Sequence, residues 1–284
     1  MMDWLNNWNS VVRYIEEHLD SEIDTEYMAE MVCCSPFHFQ RMFSYITDMS
    51  LSEYIRRRRM SRAASDLQSG ASVIDTAVMY GYDSPTAFNR AFRSVHGIAP
   101  SKAKEKGIQL KAYPPLSFSI TVKGEVEMNY RIESKKEFRI VGRRHHFTGG
   151  IDESFKKAPD IWLKAQNDTI PVLCRIIDTE VKGVLGVCTM AAAREFDYYI
   201  AVVSDKPVPE GMEEYTVPAA DWAVFECVGP MPQSVQNMQK RIALEWFPTS
   251  GYKYANAPDV ELYCEGDIKS EDYRCEIWIP VVKK

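Results

Sequence analysis

Two nine-residue stretches carry residue types suited to reading a nucleic acid. Ser35-Pro36-Phe37-His38-Phe39-Gln40-Arg41-Met42-Phe43 recurs as Ser84-Pro85-Thr86-Ala87-Phe88-Asn89-Arg90-Ala91-Phe92. The shared frame is S-P-x-x-F-x-R-x-F, with five identities and a side-chain amide in both copies at Gln40 and Asn89. An arginine guanidinium pairs bidentately with guanine, and a Gln or Asn amide with adenine. On a helix, phenylalanines four residues apart share one face and point inward. That turns Gln40 and Arg41, and equally Asn89 and Arg90, partly outward. The same offset goes on to pair Ile46 with Val95, Met49 with Ile98 and Ser52 with Ser101.

The elements needed to hold these side chains are legible around them. Serine caps a helix by accepting an orphan backbone N–H, and proline at the first helical position loses no needed donor. A short amphipathic helix precedes each copy. Asp24 or Thr25 caps Glu26–Val32, and Ser72 caps Val73–Tyr80 with Asp75 in capping-box position. Cys33-Cys34 and Gly81-Tyr82-Asp83 supply the turns. A short helix, a tight turn and a second helix with a polar outer face make a helix-turn-helix unit, whose second helix can enter a major groove. Trp4, Leu5, Trp8, Val11, Val12, Ile15 and Leu19 follow helical spacing. A connecting helix opens at the Ser50-Leu51-Ser52-Glu53 capping box, runs to about Leu67 and stops at Gly70. It sets the separation of the two reading helices, which one helical turn of DNA would require to be about 34 Å. Arg56–Arg59 spread around the whole helix and divide between phosphate contacts and pairs within the domain.

The charge is distributed unevenly. The 284-residue chain has net charge −6, yet residues 1–30 carry −7, residues 31–110 carry +5 and residues 111–284 carry −4. A basic block inside an acidic chain is the footprint of a segment that meets phosphates. No apolar run reaches the ~20 residues that span a bilayer, and Met1-Met2-Asp3-Trp4 does not read as a secretory signal. The seven cysteines are scattered without a CxxC pair, so reduced thiols in the cytoplasm are expected rather than a zinc site or a disulfide framework. No cofactor is implied.

These motifs resemble the AraC/XylS family of transcription regulators over about residues 5–106. The match includes Ser35–Phe43, Leu51-Ser52-Glu53-Tyr54-Ile55-Arg56 with Arg59, Met60 and Ala63, the Gly81-Tyr82-Asp83-Ser84 turn, and Phe92-Arg93 through Gly97-Ile98-Ala99-Pro100-Ser101. Ala99 stands where the family has a hydroxyl residue, and Ala103-Lys104 where it has an aromatic and an arginine. The resemblance implies base-edge contacts from Phe37, Gln40 and Arg41 and from Thr86, Asn89 and Arg90. Arg93 is a phosphate candidate. Two readings are open for Phe37, a thymine methyl contact or a place in the core. The partners implied are double-stranded DNA, a small-molecule effector and RNA polymerase, with no membrane.

Composition changes near residue 107, and Tyr113-Pro114-Pro115 reads as a stiff linker. The expected division is a helix-turn-helix domain over 1–107, a linker over 108–124 and a second domain over 125–284. Strand patterns follow at Val126–Glu133, Phe138–Phe147, Val184–Met190, Phe196–Val203, Trp222–Val228, Asp259–Cys264 and Tyr273–Ile279. Helices interrupt them at about 152–167 and 233–246. The fold class expected is therefore multidomain: an all-α tandem helix-turn-helix head and an α+β body of two duplicated units.

The body resembles the GyrI-like, SHS2-type small-molecule-binding domains over about residues 125–283. The carrying residues are Phe138–Gly142, Tyr198–Val202, Trp222–Phe225 with Gly229-Pro230, Glu245-Trp246 through Ser250-Gly251-Tyr252, Pro258–Tyr263 and Glu276–Pro280. The resemblance places a ligand between the two halves, against a strand carboxylate in an aromatic pocket. Glu261 matches that carboxylate, with Tyr263 on its face of the strand. Trp222, Tyr199, Trp246 and Tyr252 are the candidate walls, which implies an amphipathic or cationic effector. A pairing of Glu261 with Arg274, or exposure to water, is the plainer alternative, as is ordinary core for each aromatic.

Two other functions compete. A GyrI-like hydrolase would use Glu261 and Tyr263 as general acid and base, although no GxSxG, HExxH or P-loop is present. His145 and His146 point to opposite faces of a strand and are poor joint metal ligands. A body that only mediates assembly is the third possibility. The expected chain is thus a ligand-responsive regulator and not an enzyme.

Overall fold

The computed structural model describes residues 2–105, 107–119, 127–177, 181–190 and 195–284. Contacts divide the chain into two units, Met1–Val32 with Met49–Thr121, and Cys33–Asp48 with Val122–Lys284. Six helices lead the chain: α1 (Met2–Glu17), α2 (Thr25–Met31), α3 (Pro36–Thr47), α4 (Leu51–Gln68), α5 (Val73–Met79) and α6 (Pro85–His96). All belong to the first unit except α3, which groups with the second.

In the first unit the helical periodicity of α1 buries Trp8, Val11, Val12 and Ile15, with Leu19 just beyond the helix also buried. Asp24 settles the choice of cap for α2, accepting from the amides of Glu26 and Tyr27. Ser50 and Ser72 cap α4 and α5 by accepting from the amides of Glu53 and Asp75. The Ser72 hydroxyl also donates to Asp75 at 2.6 Å. Gly97 closes α6 at φ +79°, where a β-carbon would be strained, and its amide donates to the Arg93 carbonyl at 2.9 Å.

The arginine run of α4 mainly does structural work. Arg58 binds Glu16 and the Tyr113 carbonyl, and Arg59 binds the carbonyls of Leu19 and Ser21. Arg56 and Arg57 both reach back to Glu53. The segment expected as a linker is anchored to this unit. Asn9 holds the Phe118 backbone with two 2.9 Å hydrogen bonds, and the Leu116 amide donates to the Tyr54 hydroxyl at 3.2 Å. Residues 120–124 of that linker, and Val126 of the first expected strand, lie outside the described residues.

The second unit is built on strands β1 (Tyr130–Lys135), β2 (Phe138–Phe147), β3 (Val184–Met190), β4 (Phe196–Val203), β5 (Glu213–Val217), β6 (Ala220–Val228), β7 (Tyr252–Tyr254), β8 (Asp259–Tyr263) and β9 (Arg274–Lys283). Helices α7 (Gly150–Asp168), α8 (Ile170–Leu173) and α9 (Gln233–Arg241) complete it, α9 running on into a widened π turn, Ile242–Trp246. The antiparallel sheet has the order β1-β6-β9-β8-β3-β4-β2-β5, with β7 added beside β9. Outward from the centre, β8-β9-β6-β1 and β3-β4-β2-β5 are arranged alike. Two β-β-α-β-β units that exchange their first strands would give this order, and a duplicated origin stays a proposal.

Strand alternation separates two cores. One face carries Leu185, Val187, Tyr199, Trp222, Val260, Leu262 and Trp278. The opposite face is covered by two helical blocks. The α9 block packs on Phe225, Cys275, Ile277 and Ile279. The α7–α8 block packs on Val184, Ile200 and Val202. These two patches meet over β8 and β3, at the centre of the sheet.

The sequence missed β5 and β7. β5 reads Glu-Glu-Tyr-Thr-Val, too polar for the alternation test, and β7 is three residues long.

Candidate functional site

Register places Glu261 at that seam. Across the sheet, Phe225, Ile277, Glu261, Gly186 and Ile200 form one row on the helix-covered face. Gly186 is the neighbour that leaves room there. A β-carbon on it would lie 2.4 Å from the Tyr198 hydroxyl and 3.4 Å from Glu261 Oε2. The Tyr263 hydroxyl donates to Glu261 Oε2 at 2.7 Å, and Gln239 Nε2 donates to Oε1 at 3.5 Å. Trp162 of α7 meets the Tyr263 ring edge-on at 4.7 Å and donates to the Tyr198 hydroxyl at 3.0 Å. Burial, reinforced by the Glu261 charge, pushes both tyrosine hydroxyls well above their usual range, so both stay protonated donors.

Two residues along β8, Asp259 gives the face a second carboxylate, 3 % exposed. Both carboxylates meet the same cation. Arg41 Nη1 lies 3.1 Å from Asp259 Oδ2, and Arg41 Nη2 lies 3.9 Å from Glu261 Oε1. Arg41 Nη2 also donates to the Tyr45 hydroxyl at 2.8 Å, and the guanidinium sits 5.6 Å from the ring centres of both Phe37 and Tyr45. His38 Nε2 lies 3.3 Å from Asp259 Oδ1, and its ring stacks on Tyr254 at 4.0 Å. Burial alone would raise the Asp259 carboxyl. His38, and after it Arg41, outweigh burial and hold it below the usual carboxylate range. Cys188, on the strand beside Asp259, is pushed up to about 12 by burial and is an inert thiol.

The predicted DNA-reading residues therefore meet two fates. On α6, Phe88 and Phe92 are fully buried while Thr86, Arg90 and Arg93 are exposed and Asn89 is half-buried. On α3, Phe39 and Phe43 are equally buried, but Arg41 does not face outward as helical geometry suggested. It is 6 % exposed and Phe37 3 %, the latter packed on Phe147, Cys188 and Phe196. Gln40 is half-buried. The reason is tertiary: the polar face of α3 lies against α7, α9 and the π turn of the second unit.

The predicted effector walls divide as well. Trp222 and Tyr199 belong to the core on the opposite face from Glu261 and cannot line a site around it. Trp246 and Tyr252 are on the Glu261 face and stack on each other at 5.8 Å. Trp246 stands over Phe225, two strands or about 10 Å from Glu261. Arg274 pairs with Glu226, not with Glu261. Tyr198, Trp162, Gln239 and Asp259 were missed. Strand alternation could have named Asp259, which shares the Glu261 face of β8. His146 pairs with Asp197 at 2.8 Å, and no group of three potential metal ligands occurs among the described residues.

Comparison with known proteins matches two stretches of the chain. Residues 28–106 match a helix-turn-helix domain family, and residues 131–281 match the family of integron-associated effector binding proteins. The transcriptional activator AarP of Providencia stuartii is 37% identical over 94 residues, which is 33% of this chain and 70% of AarP. The probable transcription factor PqrA of Proteus vulgaris is 35% identical over 104 residues, 35% of this chain and 84% of PqrA. The solved structure of SAV2435 bound to tetraphenylphosphonium is 26% identical with a TM-score of 0.50, covering 55% of this chain and 94% of that one. The chain belongs to the AraC-type helix-turn-helix transcription regulators, and its residues 131–281 belong to the integron-associated effector-binding protein family.

Proposed function

We propose that this regulator reads DNA through both copies of the repeat and binds an amphipathic organic cation at Glu261, acting by binding and not by turnover. Thr86, Asn89 and Arg90 of α6, and Phe37, Gln40 and Arg41 of α3, would meet base edges, with Arg93 on phosphate. The exposure of Thr86, Arg90 and Arg93 supports the first set. The body carries the effector reading on one observation. Two carboxylates, Asp259 and Glu261, sit side by side at the seam of the helical blocks, among aromatic rings, and are already matched to a delocalised cation. A carboxylate in such surroundings is costly unless a cation or hydrogen bonds answer it. Tetraphenylphosphonium, the ligand of SAV2435, is a cation of this class. Tyr263, Tyr198 and Trp162 would wall the site, with Trp246 and Tyr252 farther along the same face.

The expected setting is the cytoplasm, with RNA polymerase as the machinery acted on. No described helix is long and apolar enough to cross a membrane. The proposed domains are 1–107 for DNA binding, 108–124 as linker and 125–284 for the effector.

Selection from a random duplex library at fixed salt tests the DNA reading, since phosphate contacts make affinity steeply salt-dependent. The expected product is a two-part motif with its parts about 34 Å apart, lost in the Arg41→Ala/Arg90→Ala double variant. Salt-sensitive binding without enrichment overturns it. Calorimetry with tetraphenylphosphonium tests the effector reading, and undiminished binding by Glu261→Gln overturns that.

A further inference from the structure

The two copies of the repeat differ where it matters for the body. At the shared offset Phe37, His38 and Tyr45 of α3 stand where α6 has Thr86, Ala87 and Ser94. These three aromatic side chains are the ones that seat α3 on the body. Phe37 enters the cluster of Phe147, Cys188 and Phe196, and meets the Phe196 ring edge-on at 5.1 Å. His38 stacks on Tyr254 and faces Asp259. The Tyr45 hydroxyl accepts from Arg41 and orients its guanidinium. At the end of the helix, Lys240 of α9 takes the Asp48 carboxylate at 2.7 Å. The seam between the helical blocks is thus filled by a built-in organic cation with its own aromatic flanks.

We propose that α3 is an internal ligand of the effector site, so that an effector and DNA act on one equilibrium: the effector displaces Arg41 from Asp259 and Glu261 and releases α3 to read DNA. This rests on the effector and DNA readings above. The physical reason is exclusion. One guanidinium cannot pair with Asp259 and with guanine at once, and a cation at Glu261 takes the space and the charge that hold Arg41. The effector is therefore an activator of DNA binding. Linkage requires DNA to raise effector affinity by the same factor.

The test titrates tetraphenylphosphonium into the full chain as wild type, Arg41→Ala and Glu261→Gln. The expected pattern is binding about tenfold tighter in Arg41→Ala and lost in Glu261→Gln. Equal or weaker binding in Arg41→Ala, with Glu261→Gln still defective, overturns the internal ligand and leaves the effector site standing. No binding by wild type or by Arg41→Ala overturns both. Should Arg41→Ala not fold, Lys240→Ala, which removes only the tie to Asp48, is expected to bind two- to threefold tighter, and unchanged affinity overturns the proposal. A readout without effector uses the duplex returned by the selection. Asp259→Asn leaves every head residue in place and is expected to bind that duplex about tenfold tighter than wild type. A folded Asp259→Asn chain with unchanged duplex affinity also overturns it.

Discussion

The helices α3 and α6 are written in the same frame and end in different surroundings. Both start at a serine cap with proline in the first turn. Both bury their two phenylalanines completely, and both end at a left-handed residue, Asp48 at φ 55° and Gly97 at φ 79°. Yet α6 leaves Thr86, Arg90 and Arg93 exposed, whereas α3 buries Phe37 and Arg41 against the body. Local sequence made two equivalent helices, and partners distant in sequence gave them different occupations. On the reading proposed above, occupancy of the seam by Arg41 is what would open α3, and not α6, to regulation.

The part the two helices share predicts the largest effect. Phe39→Ala and Phe88→Ala each delete a fully buried ring. Each is expected to cost about 3–5 kcal/mol in denaturant unfolding. A cost under about 1 kcal/mol at either position would break the equivalence of the two frames.

The part they do not share predicts a divergence. Arg41→Ala leaves Asp259 buried without its guanidinium and is expected to destabilise the second unit by about 3–5 kcal/mol. Arg90→Ala alters only an exposed side chain and is expected to stay within about 0.5 kcal/mol. Thermal unfolding that ranks the two alike would remove the distinction.

A smaller effect comes from the last turn. His96 ends α6 where α3 has Thr47. Its Nδ1 accepts from the Lys111 amide at 3.2 Å, which assigns the ring proton to Nε2 for donation to the Met60 carbonyl at 3.0 Å. Burial, and then the Lys111 charge, lower its pKa. The unfolded chain therefore takes up the proton first as pH falls. The stability contribution is full above an unfolded value near 6.5 and is lost as pH falls through the depressed folded value, with a slope of up to about 1.4 kcal/mol per pH unit. Unfolding free energies of the first unit between pH 7.5 and 5 should show this slope in the wild type and a flatter one in His96→Gln. Equal slopes would show that the ring does not titrate with folding.

Much of the molecule was legible without coordinates because it depends on short-range rules. Helix caps, the Phe39/Phe43 and Phe88/Phe92 spacings and the long strands follow from neighbours in sequence. Glu261 and Tyr263 on one face of β8 follow from the period of two. Tyr199 shows the limit of that rule. It neighbours Tyr198, and alternation says that one of them faces Glu261 without saying which. The residue chosen from the sequence was on the wrong face, because the face is set by register against β3 and β8. Trp222 failed for the same reason.

The sequence by itself determined that two capped helices share one frame, that an α+β body follows them, and that Glu261 and Tyr263 share one face of a strand. Only the tertiary structure decided that Tyr198 and Trp162 stand beside Glu261 and Tyr263, and that Arg41 of α3 meets both Asp259 and Glu261. Backbone preference and periodicity act over a few residues and can be read locally. Pairing a buried charge with its partner depends on which chain segments meet, here residues 41 and 259.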